Sequence, residues 1–140
     1  MVDNRKIAEK LRIIKENLTK LTELRDVPIE LFIEDFQKHD SAKYNLQTAI
    51  EAMLDICNHV IARRMYQVPK TNAEAFRILC RKRLLHPDME GIYMAMARFR
   101  NRVVHMYDEV DNCEVYRMIC DHLPDFQIFV DDITDMIHNR

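Results

Sequence analysis

Apolar positions recur at steps of three and four almost throughout the chain, the spacing that puts side chains on one face of an α-helix. Ile7, Leu11, Ile14, Leu18 and Leu21 predict a first helix from about Asn4 to Arg25. Asp3 or Asn4 would cap it, and Val27-Pro28 would end it. A short helix follows, over roughly Ile29 to Lys38. Asp40 or Ser41 then opens a long helix ending near Tyr66, with Leu46, Ile50, Met53, Cys57 and Val60 as its core stripe. "QVPKTN" reads as a loop, and Thr71 or Asn72 caps a helix presenting Phe76, Leu79, Cys80 and Arg83. "HPD" separates that helix from another over about Asp88 to Tyr107. "DEVDN" breaks the chain again, and Pro124 divides two short helices, near 112–122 and 124–138. No segment alternates as a strand would, and no internal repeat or low-complexity stretch is visible. The pattern predicts an all-α fold: an antiparallel helical bundle with additional short helices, one domain over residues 1–140.

The helix over 88–107 is unlike the others because it carries two apolar stripes. Ile92, Met96, Phe99, Val103 and Met106 form a core face. Beside it run Tyr93, Ala97, Arg100, Val104 and Tyr107, an apolar stripe with a guanidinium embedded in it. Asn101 and His105, four apart, extend this second stripe outward. Arg100 and Tyr107 are seven apart and nearly eclipse on a continuous helix. Arg100 and His105 are about 140° apart and do not share a face. Burying the second stripe is costly unless Arg100 finds a partner, and leaving it open is costly too. A homodimer in which two copies of this helix converge on one cleft would resolve both, with Tyr93, Ala97 and Val104 in its interface.

Composition narrows the classes. Charged residues of both signs make up 31% of the chain and the formal net charge is −2, which argues against a protein that coats nucleic acid non-specifically. A single glycine leaves no room for a Gly-rich phosphate loop. Cys57, Cys80, Cys113 and Cys120 form no CxxC and no zinc-ligand spacing with histidine, so neither a metal nor a cofactor is expected, and the thiols point to a reducing compartment. "MVDNRKIAEK" has no apolar signal core and no apolar run reaches membrane-spanning length, so a cytoplasmic protein without a membrane partner is expected. Asp55 and His59, four apart beside the core stripe of the long helix, are either a hydrogen-bonded surface pair or a supporting layer of the cleft. "RILCRKRLL" is read first as a solvated basic face, and Glu90, Asp108 and Glu109 as helix-end charges.

The stretch "RNRVVHMY" resembles the Arg-x4-His-x-Tyr motif of the HEPN superfamily in its HepT-type toxin branch. "KYNLQTAIEAMLDICNHVIARR", "VPKTNAEAFRILCRKRLL" and "MARFRNRVVHMYDEVD" follow that branch's order and spacing, so the resemblance covers about residues 30 to 135. Arg-x4-His alone is common by chance; Arg-Asn-x3-His-x-Tyr after two matching segments is specific. One departure stands: Lys43-Tyr44 occupies a place where Arg-Tyr is expected, keeping the charge and losing the planar fork.

The resemblance implies an all-α homodimer that acts as a metal-independent ribonuclease and as the toxin of a two-gene module. It implies a cognate minimal nucleotidyltransferase antitoxin that transfers AMP to the motif tyrosine. Carried over by position, Arg100 and His105 are the catalytic pair, Asn101 is the supporting polar residue and Tyr107 is the AMPylation site. These side chains suit RNA cleavage by the neighbouring 2′-OH. A histidine with an ordinary pKa of roughly 6.5 serves as base or acid near neutrality. An arginine stays charged and matches phosphate oxygens. Arg98 and Arg102 flank Arg100 and could follow an RNA backbone, most readily that of a single strand or loop. A different class competes: a non-catalytic HEPN module that docks a nucleotidyltransferase and holds nucleotide or RNA. A purely structural helical dimer is the third reading, and it leaves Arg100 unexplained.

Overall fold

The computed structural model describes residues 2–139, all of them in helices, turns and connecting segments. Six α-helices follow in order: α1 (Asn4–Arg25), α2 (Ile29–Glu34), α3 (Phe36–Arg63), α4 (Asn72–Arg81), α5 (Glu90–His105) and α6 (Asn112–His138). Short 3-10 turns over Pro87–Met89 and Tyr107–Glu109 bracket α5. The result is the all-α antiparallel bundle with extra short helices that the periodicity indicates. The α3 helix is its axis and packs against each of the other five. Its fully buried stripe of Leu46, Ile50, Met53, Cys57 and Val60 meets Ile7, Ile14 and Leu21 of α1, Phe76 and Leu79 of α4, and Phe126, Phe129 and Ile133 of α6 in one continuous core.

Three boundaries differ from the sequence expectation, each for a local reason. The α2 helix stops at Glu34 because Asp35 takes an extended conformation and turns its carboxylate to the Gln37 N–H, capping α3 from Phe36. Asp40 and Ser41, expected as caps, lie inside α3. Pro124 does not divide two helices: α6 runs unbroken from Asn112 to His138. Pro124 is exposed on the outer face of the helix, and Cys120, the residue one turn back whose carbonyl a proline cannot serve, is exposed as well. The motif helix ends at His105, where Met106 leaves the helical region with φ −139° and ψ 50°. Tyr107 therefore opens a separate 3-10 turn and does not eclipse Arg100 on a continuous helix.

The second stripe of α5 also divides. Tyr93 and Ala97 are fully buried within the chain, Tyr93 lying against Phe76 and Phe129 with ring centroids 5.3 and 5.8 Å away. They have no surface to offer a dimer. The apolar surface left open lies at the end of the stripe, at Val104 and Tyr107. Asp55 and His59 bond to other partners and not to each other. Lys10 pairs with Asp55 at 2.9 Å and the Asp3 N–H donates to His59 Nε2 at 2.9 Å, so both fasten α1 to α3. Burial, with help from nearby Lys6 and Arg63, holds His59 below the usual histidine pKa, in keeping with its role as a neutral acceptor.

Candidate active site

The C-terminal half of α5 lies along the N-terminal half of α3, and the polar motif residues meet carboxylates there. Arg100 is anchored first. Its Nε and Nη2 donate to Glu51 Oε2 at 3.1 and 2.9 Å, and its Nη1 donates to Asn101 Oδ1 at 3.2 Å. Gln47, one turn before Glu51, donates to the same Glu51 oxygen at 3.1 Å. The cost of setting a guanidinium among apolar neighbours is thus offset by a carboxylate on the facing helix. An arginine has five N–H donors. Three are engaged here, which leaves one on each terminal nitrogen, on a side chain that keeps 22% of its surface open.

His105 is the last residue of α5 and is exposed. No hydrogen bond to a described residue holds its ring, so either nitrogen is free to take or give a proton. Met106 and Val104 beside it are also open, at 45% and 39% of their surface. Tyr107 then folds back onto α3. Its hydroxyl donates to Asp40 Oδ1 at 2.7 Å, and the Lys43 ammonium lies 4.3 Å from the centre of its ring. Lys43, where the family resemblance leads one to expect arginine, is itself buried and works as a cation over this ring. Burial and the Asp40 hydrogen bond push the Tyr107 phenol up to about 12.

The site is therefore stretched along α3. Arg100 is held opposite residue 51 and Tyr107 opposite residue 40. Eleven residues of helix separate those anchors, roughly 16 Å along the axis at 1.5 Å per residue. Arg100, Asn101 and His105 share one end of α5, while Tyr107 marks the rim beyond His105. Arg98 is exposed and unengaged by any described carboxylate, whereas Arg102 is committed to Glu114 of α6. Glu51, Gln47, Asp40 and Lys43 were not singled out as site residues from the sequence. The one signal for Glu51 is the embedded Arg100, which demands an acid somewhere opposite. Among the described residues no group of three or more His, Cys, Asp or Glu side chains is arranged to hold a metal ion. No helix among the described residues is long and apolar enough to cross a membrane.

Residues 14–133 match the HepT-like family, described as ribonuclease HepT-like. The chain belongs to that family. Among its relatives, an mRNA nuclease HepT of Shewanella oneidensis is 32% identical over 102 residues, which are 73% of this chain and 77% of that protein. A tRNA nuclease HepT of Aphanizomenon flos-aquae is 25% identical over 131 residues, 94% of this chain and 89% of the other. The fold is similar to a solved structure of a tri-AMPylated Shewanella oneidensis HEPN toxin in complex with MNT antitoxin. The TM-score is 0.85 at 29% identity, over 96% of this chain and 98% of that one. The helices that carry Glu51 and Arg100 both fall inside the HepT-like match.

Proposed function

We propose that this HepT-like chain is the toxin of a HEPN/minimal nucleotidyltransferase pair. It is an endoribonuclease that cleaves RNA without a metal at Arg100 and His105 and is silenced by AMPylation of Tyr107. The observation that carries the reading is the contrast at the end of α5: Arg100 is fixed by Glu51 and Asn101 while His105, five residues on, is exposed with no hydrogen-bond partner among the described residues. A purely structural helix end has no use for an anchored cation beside an idle imidazole. Arg100 would present its remaining donors to the scissile phosphate and its phosphorane. His105 would take the 2′-OH proton or return one to the leaving 5′-oxygen. Asn101 keeps the guanidinium in register.

In-line displacement sets the 2′-OH and the leaving 5′-oxygen on opposite sides of the phosphorus, and a homodimer supplies a second His105 for the far side. The face for it is not the buried Tyr93–Ala97 stripe. It is the exposed apolar set at the adjoining ends of α3 and α5: Phe36 and Tyr44 at 65% and 64% exposure, with Val104 and Met106. Exposed apolar surface of this kind marks an association site. Sedimentation at micromolar protein is expected to give a dimer, and Val104→Glu to shift it toward monomer. A monomeric wild-type chain contradicts this arrangement.

His105→Ala and Arg100→Ala are each expected to lower RNA cleavage by about 10²–10⁴, the usual loss when general acid–base help is removed. Arg100→Lys fails similarly, because an ammonium cannot keep Glu51 and contact phosphate at once. Cleavage persists in chelator and leaves a 2′,3′-cyclic phosphate. Strict metal dependence, a 5′-phosphate product, or full activity in His105→Ala refutes the mechanism.

A further inference from the structure

The Tyr107–Asp40 hydrogen bond is more specific than a tie for a turn. Tyr107 leaves the helix that would have carried it over Arg100 and brings its hydroxyl onto one carboxylate oxygen of α3, at 2.7 Å. That oxygen is also 3.1 Å from His39 Nδ1. A carboxylate can only accept, so His39 donates through Nδ1 and fixes the acid's orientation. The hydroxyl is nevertheless at the surface: Tyr107 is 40% exposed and the Asp40 side chain 44%. An enzyme docking on this rim can reach both.

We propose that Asp40 is the proton acceptor for modification of Tyr107, so that the toxin carries the base for its own AMPylation and the antitoxin supplies the nucleotide. The inference rests on the reading of Tyr107 as the AMPylation site. The Tyr107 oxygen attacks the α-phosphorus of a nucleoside triphosphate held by the nucleotidyltransferase. The new bond is Tyr107 Oη to phosphorus; the bond from that phosphorus to the bridging oxygen breaks; pyrophosphate leaves with the electron pair. The phenolic proton passes to Asp40 Oδ1. The groups facing the phenol are Asp40 and Lys43 from α3, His39 behind Asp40, and Asp108 next along its own turn. Two acids press against it and the ring is partly buried, so the free phenolate is scarce at neutral pH. A phenol that cannot ionise in advance needs a base at the moment of attack, and Asp40 is already bonded to the proton. Lys43 lies over the same ring and faces the charge that builds on the oxygen and on the incoming phosphates.

Asp40→Asn separates this role from a structural one, because the amide oxygen still accepts from Tyr107 and keeps the turn in place. The measurement is the rate of AMP addition to the full chain by its cognate minimal nucleotidyltransferase and ATP, followed by intact mass across a pH series, with the site mapped by peptide analysis. Wild-type is expected to show a rate that changes little across the series, because the proton acceptor is already hydrogen-bonded to the phenol. Asp40→Asn is expected to be slower by about 10²–10⁴ at pH 7. Its rate should rise about tenfold per pH unit, tracking the phenolate. Asp40→Glu recovers part of the rate, and Asp55→Asn, which disturbs only the pair with Lys10, changes nothing. An Asp40→Asn rate equal to wild-type, or reduced with the same flat profile, overturns the role of Asp40 while leaving Tyr107 as the site. AMP mapped to another residue, or none added to wild-type, overturns the reading of Tyr107 and this inference with it.

Discussion

Arg100, Asn101, His105 and Tyr107 stand out in the chain as candidates because polar residues at fixed spacing in an apolar helix demand an explanation, and the resemblance offers one. Their partners do not. Glu51 is 49 residues from Arg100 and Asp40 is 67 from Tyr107, and pairing across helices leaves no local trace in the chain. Asp40 was misleading in its own right: an aspartate before an apolar helical run looks like an N-cap, and Asp35 takes that place. The expectation that Tyr107 stands over Arg100 failed with the helix end at His105. That failure moves the proposed site of inhibition. A nucleotide on Tyr107 would lie at the rim beside Lys43, with the guanidinium anchored about three helical turns along α3. On the proposed reading its phosphate and base would obstruct RNA on the way to His105, where an ester above Arg100 would have occupied the phosphate's own place.

Helix interiors were legible throughout, and helix ends were not, because ends depend on a few backbone angles that many residues can adopt. The α3 and α4 helices stop without glycine. Met65 and Arg83 both take φ 60°, and the Tyr66 and Leu84 N–H groups close back on Ile61 and Leu79 at 2.9 and 3.0 Å. These are left-handed C-terminal caps built on residues that pay for a Cβ there. Met65 is 89% exposed and contributes little packing. Met65→Gly is expected to stabilise the chain by about 0.5–1 kcal/mol, the relieved left-handed strain less the added freedom of the unfolded chain. Urea denaturation should show a higher midpoint with an unchanged slope. A lower midpoint would mean that the cap is not strained. Pro124 teaches the converse: a proline on the outer face of a well-buried helix need not end it, since Leu123, Phe126 and Phe129 hold α6 on both sides.

At the scale of the molecule, the rim where the start of α3 meets the end of α5 carries an open histidine, a tyrosine hydrogen-bonded to Asp40 and an exposed apolar set, with the anchored arginine about three helical turns along α3. On the proposed reading, cleavage, silencing and association would be coupled without any change of fold, since a nucleotide on Tyr107 would sit next to His105 in sequence and next to the exposed Val104 and Met106. The most direct measurement is the RNA cleavage rate of the purified chain before and after AMPylation by its nucleotidyltransferase, alongside Tyr107→Phe treated in the same way. The expected result is that the unmodified wild-type cuts, the AMPylated wild-type loses cleavage in proportion to the fraction modified, and Tyr107→Phe cuts equally well with or without the transferase. Undiminished cleavage by chain fully modified at Tyr107, or silencing of Tyr107→Phe by the same treatment, would contradict control of His105 from this rim.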